Sequence, residues 1–346
     1  MIVHIFSASA HHYAPMRSFF LQHCTAQEQR FWAPYEAGVN HTGVEYFIDN
    51  SELLSKVNGL PSDCRLVFHG VFDPSLIRSL CLIKKLRDSV CVIWGGEMYR
   101  YEAQHGVKAY INWFFHCLLL RRFRHVYTLN QGDKEKLREY LLIRNAGVLP
   151  YPLIGFNFAD KKIMKPSKKL QVLVGNSADP SNNHLTIFKQ LKAIEHLECE
   201  VIVPLNYGGS ACYVDTVVKE GLKLFGSRFK PIQAMLSKAE YDALLQNIDI
   251  TVFAHKRQQG LYAVYAMLLM GKPIFLDSKT SSFVNLSEQG FDVQDCCHLS
   301  KLSMLDLKAL VDKPNEKNKA LMTSTYTEQA LAPHWSKMMT ELIVNA

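Results

Sequence analysis

The sequence predicts an α/β protein built from two parallel-sheet domains. Three observations carry this. Its 346 residues exceed the length at which one hydrophobic core usually suffices. Both halves alternate short apolar runs of strand length with segments of helical period, the rhythm of βαβ units. Between the halves, 150–169 holds three prolines and five lysines, the composition of a linker. The expected organisation is a first domain over 1–150, a linker over 151–169 and a second domain over 170–322. A final helix over 323–346 is expected to pack back toward the first domain.

In the first half, strands are expected at Ile2–Phe6, Val44–Ile48, Arg65–His69, Val90–Trp94 and Val126–Leu129. Helical periods cover Ala14–Cys24, Pro74–Leu86, Gly106–Arg121 and Gly132–Leu142. The second half repeats the pattern, with strands at Gln171–Gly175, Glu200–Pro204, Asp249–Phe253 and Pro273–Leu276. Its helices are expected over Ser181–His196, Cys212–Leu224, Lys238–Asn247 and Gln259–Met270. Gly271-Lys272-Pro273 closes the last of these, since Gly ends a helix and Pro cannot continue it.

Hydrophobic content of 48% with 21% charged residues is that of a folded globular chain. The nine cysteines are scattered without CxxC spacing, which points to reduced thiols in the cytoplasm and away from a disulfide framework or a zinc site. Met1 leads directly into the strand pattern IVHIF, so no secretory leader is expected. No run approaches the roughly 18 apolar residues needed to span a bilayer. The formal charge of +7 is modest and partly local. Arg121, Arg122 and Arg124 close the aromatic and leucine-rich segment that starts at Tyr110 and includes Trp113. Such a segment suits a helix on an anionic membrane face, where each cation adds about 1 kcal/mol; a buried helix with a basic end has the same composition. Nucleic-acid binding fits poorly, because no RNP, zinc-finger or Lys/Arg tract accompanies the charge.

Chemistry is expected at strand ends. Leu170–Leu191 reads as strand, polar turn and helix, with Gly175, Asn176 and Ser177 in the turn. A turn of this kind after a parallel strand can hold a phosphate on its N–H groups and the helix end, although an ordinary βα loop looks the same. Arg257, Gln258 and Gln259 precede Gly260 and an apolar helix, which adds a guanidinium and a second helix N-terminus. Two such loops favour a diphosphate. Pro204 ends the second strand of this half and Tyr207 follows it, where an aromatic ring can meet a nucleobase. In the first half, polar residues follow three strands: Ser7 to His12 (with His11), His69-Gly70, and Trp94-Gly95-Gly96-Glu97. Glu97 after two glycines is a candidate general base, an effect worth about 10² to 10⁴ in rate, or else a helix-capping acid. GxGxxG, P-loop, GxSxG, HExxH and DxD patterns are missing, so no cofactor and no metal are expected.

Taken together, VLVGNSADPSNNH, VIVPLNYGGSACY, RQQG, FHGVFDPSL and VIWGGEMY resemble the TDP-N-acetylfucosamine:lipid II N-acetylfucosaminyltransferases of enterobacterial common antigen synthesis, glycosyltransferase family 56. The resemblance runs from about His11 to Gly271. Glu97 stands where it leads one to expect aspartate, and Ala178, Pro180 and His255-Lys256 also depart from the pattern. It implies a GT-B architecture, two Rossmann-like domains facing each other across a cleft, with the donor on the second domain and the acceptor on the first. It further implies a peripheral enzyme on the cytoplasmic face of the bacterial inner membrane. That enzyme would transfer 4-acetamido-4,6-dideoxygalactose (Fuc4NAc) from dTDP to a polyprenyl-diphosphate-linked saccharide.

On this reading Gly175, Asn176, Ser177, Arg257, Gln258 and Gln259 hold the diphosphate, and Tyr207 and Pro204 meet the nucleoside. Glu97 takes the acceptor proton, with His69 or His12 positioning sugar hydroxyls. His11, Trp94, Trp113, Arg121, Arg122 and Arg124 serve the acceptor and the membrane. The alternatives are a nucleotide-sugar 2-epimerase on a similar scaffold and a catalytically silent, membrane-associated assembly partner.

Overall fold

A computed structural model describes residues 1–7, 10–103, 105–156 and 169–344, without the side chains of 10–12 and 103. The chain divides into two compact units, Met1–Ile154 with Tyr326–Ala346, and Gly155–Thr325. Residues 157–168, most of the expected linker, lie outside the described residues, as do the side chains of His11 and His12.

In the first unit the strands are β1 (Ile2–Phe6), β2 (Gln29–Pro34), β3 (Val44–Phe47), β4 (Arg65–His69), β5 (Val90–Val92), β6 (His125–Thr128) and β7 (Ala146–Val148). They form one parallel sheet in the order β3-β2-β1-β4-β5-β6-β7. The connections carry α1 (Ala10–His23), α2 (Asn50–Gly59), α3 (Pro74–Leu80), α4 (Gly96–Ala103), α5 (Val107–Leu120) and α6 (Gln131–Leu141). Helices cover both faces, so the central strands are buried throughout and read as continuous apolar runs. Strand alternation sorts them: Val3, Ile5, Leu66 and Phe68 join the cluster with Leu53, Leu80 and Leu120. His4, Phe6 and His69 point to the opposite face.

The second unit repeats the plan with β8 (Leu170–Val174), β9 (Cys199–Pro204), β10 (Phe229–Ile232), β11 (Ile250–Phe253), β12 (Ile274–Leu276) and β13 (Gln294–Asp295). Its parallel order is β10-β9-β8-β11-β12-β13. Its helices are α7 (His184–Ala193), α8 (Ala211–Phe225), α9 (Lys238–Asn247), α10 (Leu261–Leu269), α11 (Ser281–Glu288), α12 (Met304–Asp312) and α13 (Glu316–Thr325). Side-chain caps fix several starts: Ser210 accepts from the N–H of Tyr213, and Ser237 with Glu240 forms a reciprocal capping box. The last helix, α14 (Glu328–Val344), belongs to the first unit, where Trp335 donates to the carbonyl of Pro150 at 2.9 Å.

Both sheets follow the doubly wound order, in which strand direction of assembly reverses next to the first strand of each unit. Ligand sites in such sheets lie beyond the carboxyl ends of the strands at that reversal. Here it falls between β1 and β4 in one unit and between β8 and β11 in the other.

Candidate functional site

In the second unit, β8 ends in a turn that only glycine can open. Gly175 has φ +68°, and a Cβ there would lie 2.7 Å from His184 Nε2 and 2.9 Å from Asn182 Oδ1. Asn182, at the close of the excursion, is fully buried and uses its whole amide. Its Oδ1 accepts from the N–H of Asn176 (2.9 Å) and from His255 Nε2 (2.8 Å). Its Nδ2 donates to Ser177 Oγ (3.1 Å) and the carbonyl of Asp179 (2.9 Å). Because His255 follows β11, this one side chain ties the two expected phosphate loops together.

Further bonds join the same loops. The N–H of Lys256 donates to the carbonyl of Ser181 (3.1 Å), and Gln259 Nε2 to Ser181 Oγ (3.0 Å). Arg257 pairs with Asp179 at 3.2 Å, both side chains part-exposed. Burial pushes the Asp179 carboxyl up, but hydrogen bonds from Ser181 and the Arg257 charge outweigh it and hold it below the usual range. His255 is buried and lowered to about 3, chiefly by desolvation and then by the Arg257 charge, so the loops meet around a neutral ring. Gly260, at φ +68°, opens α10 against Asn176 and His255, where a Cβ would approach both within 3.2 Å.

The turn differs from the expected row of free N–H groups. The N–H of Gly175 donates to Val252, that of Asn176 to Asn182 and that of Ala178 to Tyr207. The acceptors come from three places: β11 for Gly175, the Asn182 side chain as the chain returns for Asn176, and the segment after β9 for Ala178. What is left part-exposed is Arg257 and Gln259, with the N-terminus of α10; Ser177 is buried, its Oγ taken by Asn182. Gln258 is buried, and Pro204 is a buried ladder residue opposite Ile232, so neither lies on an exposed wall. Tyr207 keeps an exposed ring while its hydroxyl accepts from Asn176 Nδ2 at 3.0 Å.

In the first unit, Ser7 Oγ donates to the carbonyls of His69 (3.2 Å) and Gly70 (2.8 Å), tying the ends of β1 and β4. Beyond β5, Gly95 and Gly96 turn the chain into α4, and Glu97 stands in its first turn. Glu97 is fully buried, not open at the sheet edge. Its Oε1 accepts from the N–H of Trp94 at 3.1 Å, and its Oε2 has no hydrogen-bond partner among the described residues. Burial pushes this carboxyl up to about 7, against the N–H groups of Glu97, Trp94 and Val71 and the charge of Arg100. A carboxyl titrating near neutrality is matched to general-base work.

His69 is corrected from sugar contact to core residue. It is fully buried, with Nε2 at 3.0 Å from His4 Nδ1 and Nδ1 at 2.6 Å from the Tyr151 hydroxyl. Its ring stacks on Phe6 and Trp335, leaving no nitrogen for a substrate. Strand alternation places it there, since β4 residues 67 and 69 share the face covered by α1 and α14. Trp94 is part-exposed, pairs edge-on with Phe72, and sends its indole N–H to Tyr151 at 3.2 Å.

Helix α5 has two apolar faces. His116, Cys117, Leu119 and Leu120 point into the core. Val107, Tyr110, Ile111, Phe114 and Leu118, spaced as one helical stripe, are exposed. Trp113 instead turns inward and donates to the carbonyl of Tyr140. Arg121 and Arg122 follow the C-terminus of the 14-residue helix, about 21 Å along its axis from Val107. Since α5 leads back to the start of β6, these arginines and Arg124 sit at the edge opposite Glu97; Arg122 also donates to the carbonyl of Ile83 at 3.1 Å. Reading residue types by position left Asn182, Asp179, Ser181, His4 and Tyr151 unnoticed. The SADPSNN turn, dense in side chains that bond backbone, was the available signal for the first three.

Two doubly wound domains with loops of this kind define a GT-B glycosyltransferase fold. Among solved structures, the chain is similar to sucrose-phosphate synthase from Thermosynechococcus elongatus, with TM-score 0.74, 11% identity and 100% of both chains covered. It is also similar to the UDP-forming α,α-trehalose-phosphate synthase from Burkholderia xenovorans, with TM-score 0.71, 10% identity and 99% and 98% coverage. At that identity the likeness shows the fold alone. The family model described as 4-alpha-L-fucosyltransferase, glycosyl transferase group 56, matches residues 34–335. The chain belongs to this glycosyltransferase family.

Proposed function

We propose that this glycosyltransferase moves Fuc4NAc from a dTDP-sugar to a polyprenyl-diphosphate-linked saccharide, working as a peripheral protein on the inner-membrane surface in an enterobacterial common antigen-like pathway. The observation that carries the lipid-linked acceptor is the exposed stripe Val107–Tyr110–Ile111–Phe114–Leu118 on α5, followed by Arg121 and Arg122. An apolar helix face with a basic end favours an anionic bilayer over a soluble sugar. Among the described residues no helix is long and apolar enough to cross a membrane, so the contact is superficial.

In this reading the donor diphosphate lies against Arg257, Gln259 and the start of α10. Negative charge grows on the diphosphate as the sugar leaves, and preorganised donors favour that state over the ground state. Arg257, already held by Asp179, needs little reorganisation to meet it. The guanidinium and helix end supply the counter-charge without a divalent metal, so activity should survive EDTA. Tyr207 offers its exposed ring to the nucleobase. Glu97 takes the proton of the acceptor hydroxyl once the Trp94-Gly95-Gly96 turn admits it, and closure around the substrates excludes water.

The test is transfer from dTDP-, UDP- and GDP-sugars to lipid-linked and water-soluble acceptors in the presence of anionic vesicles. Product only with dTDP-sugar and the lipid-linked acceptor supports the reading. Equal use of all three nucleotides, or conversion of the donor sugar without any acceptor, defeats it; the latter marks an epimerase.

A further inference from the structure

The hydrogen bonds around His69 form a chain whose polarity is forced from both ends. Indole Nε1 can only donate, so Trp94 donates to the Tyr151 oxygen and the Tyr151 proton goes to His69 Nδ1. At the other end Gln29 Nε2 donates to the carbonyl of Cys24, which leaves Gln29 Oε1 to accept from His4 Nε2 at 3.0 Å. His4 Nδ1 then accepts from His69 Nε2. Both rings are therefore neutral, and every link has a single direction. Aromatic stacking by Phe20 and Phe31 on His4, and by Phe6 and Trp335 on His69, holds the rings in place.

Trp94 is where this chain meets the acid: its indole N–H ends the chain, and its peptide N–H holds Glu97 Oε1. We propose that Tyr151 is a positioning residue for glycosyl transfer, anchored by His69, His4 and Gln29 and acting through Trp94 to fix the N–H that orients and tunes Glu97. The proposal rests on the reading of Glu97 as the base. Besides Tyr151, the titratable and charged groups facing Glu97 are Arg100 and Tyr101 on α4 and Cys91 on β5, and none of them belongs to the chain.

The experiment is a carbon-13 NMR titration of glutamate-labelled full-length protein, with the Glu97 signal assigned by its loss in Glu97→Gln. Parent, Trp94→Phe, Tyr151→Phe and the double variant are compared, with dTDP binding as a control on the second domain. Losing the side-chain anchor loosens the peptide N–H of residue 94 and weakens the carboxylate form, so each single variant should raise the Glu97 midpoint by about half a pH unit or more. The double variant should move it no further than one of them, because both act on one link. The acidic limb of acceptor kcat/KM should move with it and its value should fall about tenfold or more, while dTDP affinity stays the same. An unmoved midpoint in Trp94→Phe, or shifts that simply add, overturns the proposal; Trp94 is part-exposed, so this variant decides the matter if Tyr151→Phe does not fold. Unimpaired turnover of Glu97→Gln would instead defeat the base assignment, leaving the titration as a separate result.

Discussion

Asn182 occupies all four of its hydrogen-bonding positions within two loops, so it shows what a single amide contributes. Asn182→Ala leaves the Asn176 N–H and the His255 ring without their acceptor in a buried place. A loss of about 2–4 kcal/mol is expected by urea denaturation, together with weaker dTDP binding by calorimetry. Gly175→Ala meets both a left-handed backbone and a 2.7 Å approach to His184, so it should be destabilising as well. Glu97→Gln keeps shape and removes the proposed base; on that proposal kcat drops about 10² to 10⁴-fold with donor affinity unchanged.

At the scale of elements, α5 separates a surface role from a structural one. Ile111 and Phe114 are exposed, so Ile111→Ser with Phe114→Ser should change stability by only about 0.5 kcal/mol per site, yet weaken flotation with anionic vesicles. On the proposed membrane contact, raising salt should weaken the parent's flotation too, because Arg121 and its neighbours would act through screened charge. The stripe was legible in the sequence as an apolar segment, but its outward spacing was not, since both faces of this helix are apolar and periodicity cannot choose between them. Strands were legible where both faces are buried, as in IVHIF and RLVFH, whose uninterrupted apolar character needs no register. Of the unforeseen strands, β7, β10 and β13 lie at sheet edges, where Gly147, Pro231 or a length of two residues is tolerated because one side needs no partner, whereas β2 lies between β1 and β3 and its polar start, Gln29-Arg30, and closing Pro34 masked it. Position at a strand end identified Glu97 and Arg257 as polar residues near the ligand edges. It could not reveal that Glu97, in the first turn of α4, is buried while Arg257 stays part-exposed.

Across the whole molecule, buried neutral histidines set the response to acid. Burial lowers His4, His116 and His255 to about 3, His184 to about 4 and His69 well down as well, against 6.5 for the free ring. Between those values and 6.5 the unfolded chain binds protons that the folded chain refuses, so stability falls as pH falls, by up to about 1.4 kcal/mol per pH unit for each ring. Glu97 works the other way: raised to about 7 from 4.5, it binds its proton more readily when folded and loses that contribution as pH rises through 7. Five rings outweigh one carboxyl, so denaturation midpoints measured at pH 7.5, 6 and 5 should decline steadily toward acid.

Trp335, fully buried on α14, closes the first unit over His69, Phe20 and Tyr151. Synthesis proceeds from the other end, so the first-unit sheet waits for its lid until α14 has left the ribosome, while Gly155–Thr325 is continuous and can finish earlier. A messenger truncated near codon 325 should therefore yield a product whose second half is native and whose first half is prey for proteases.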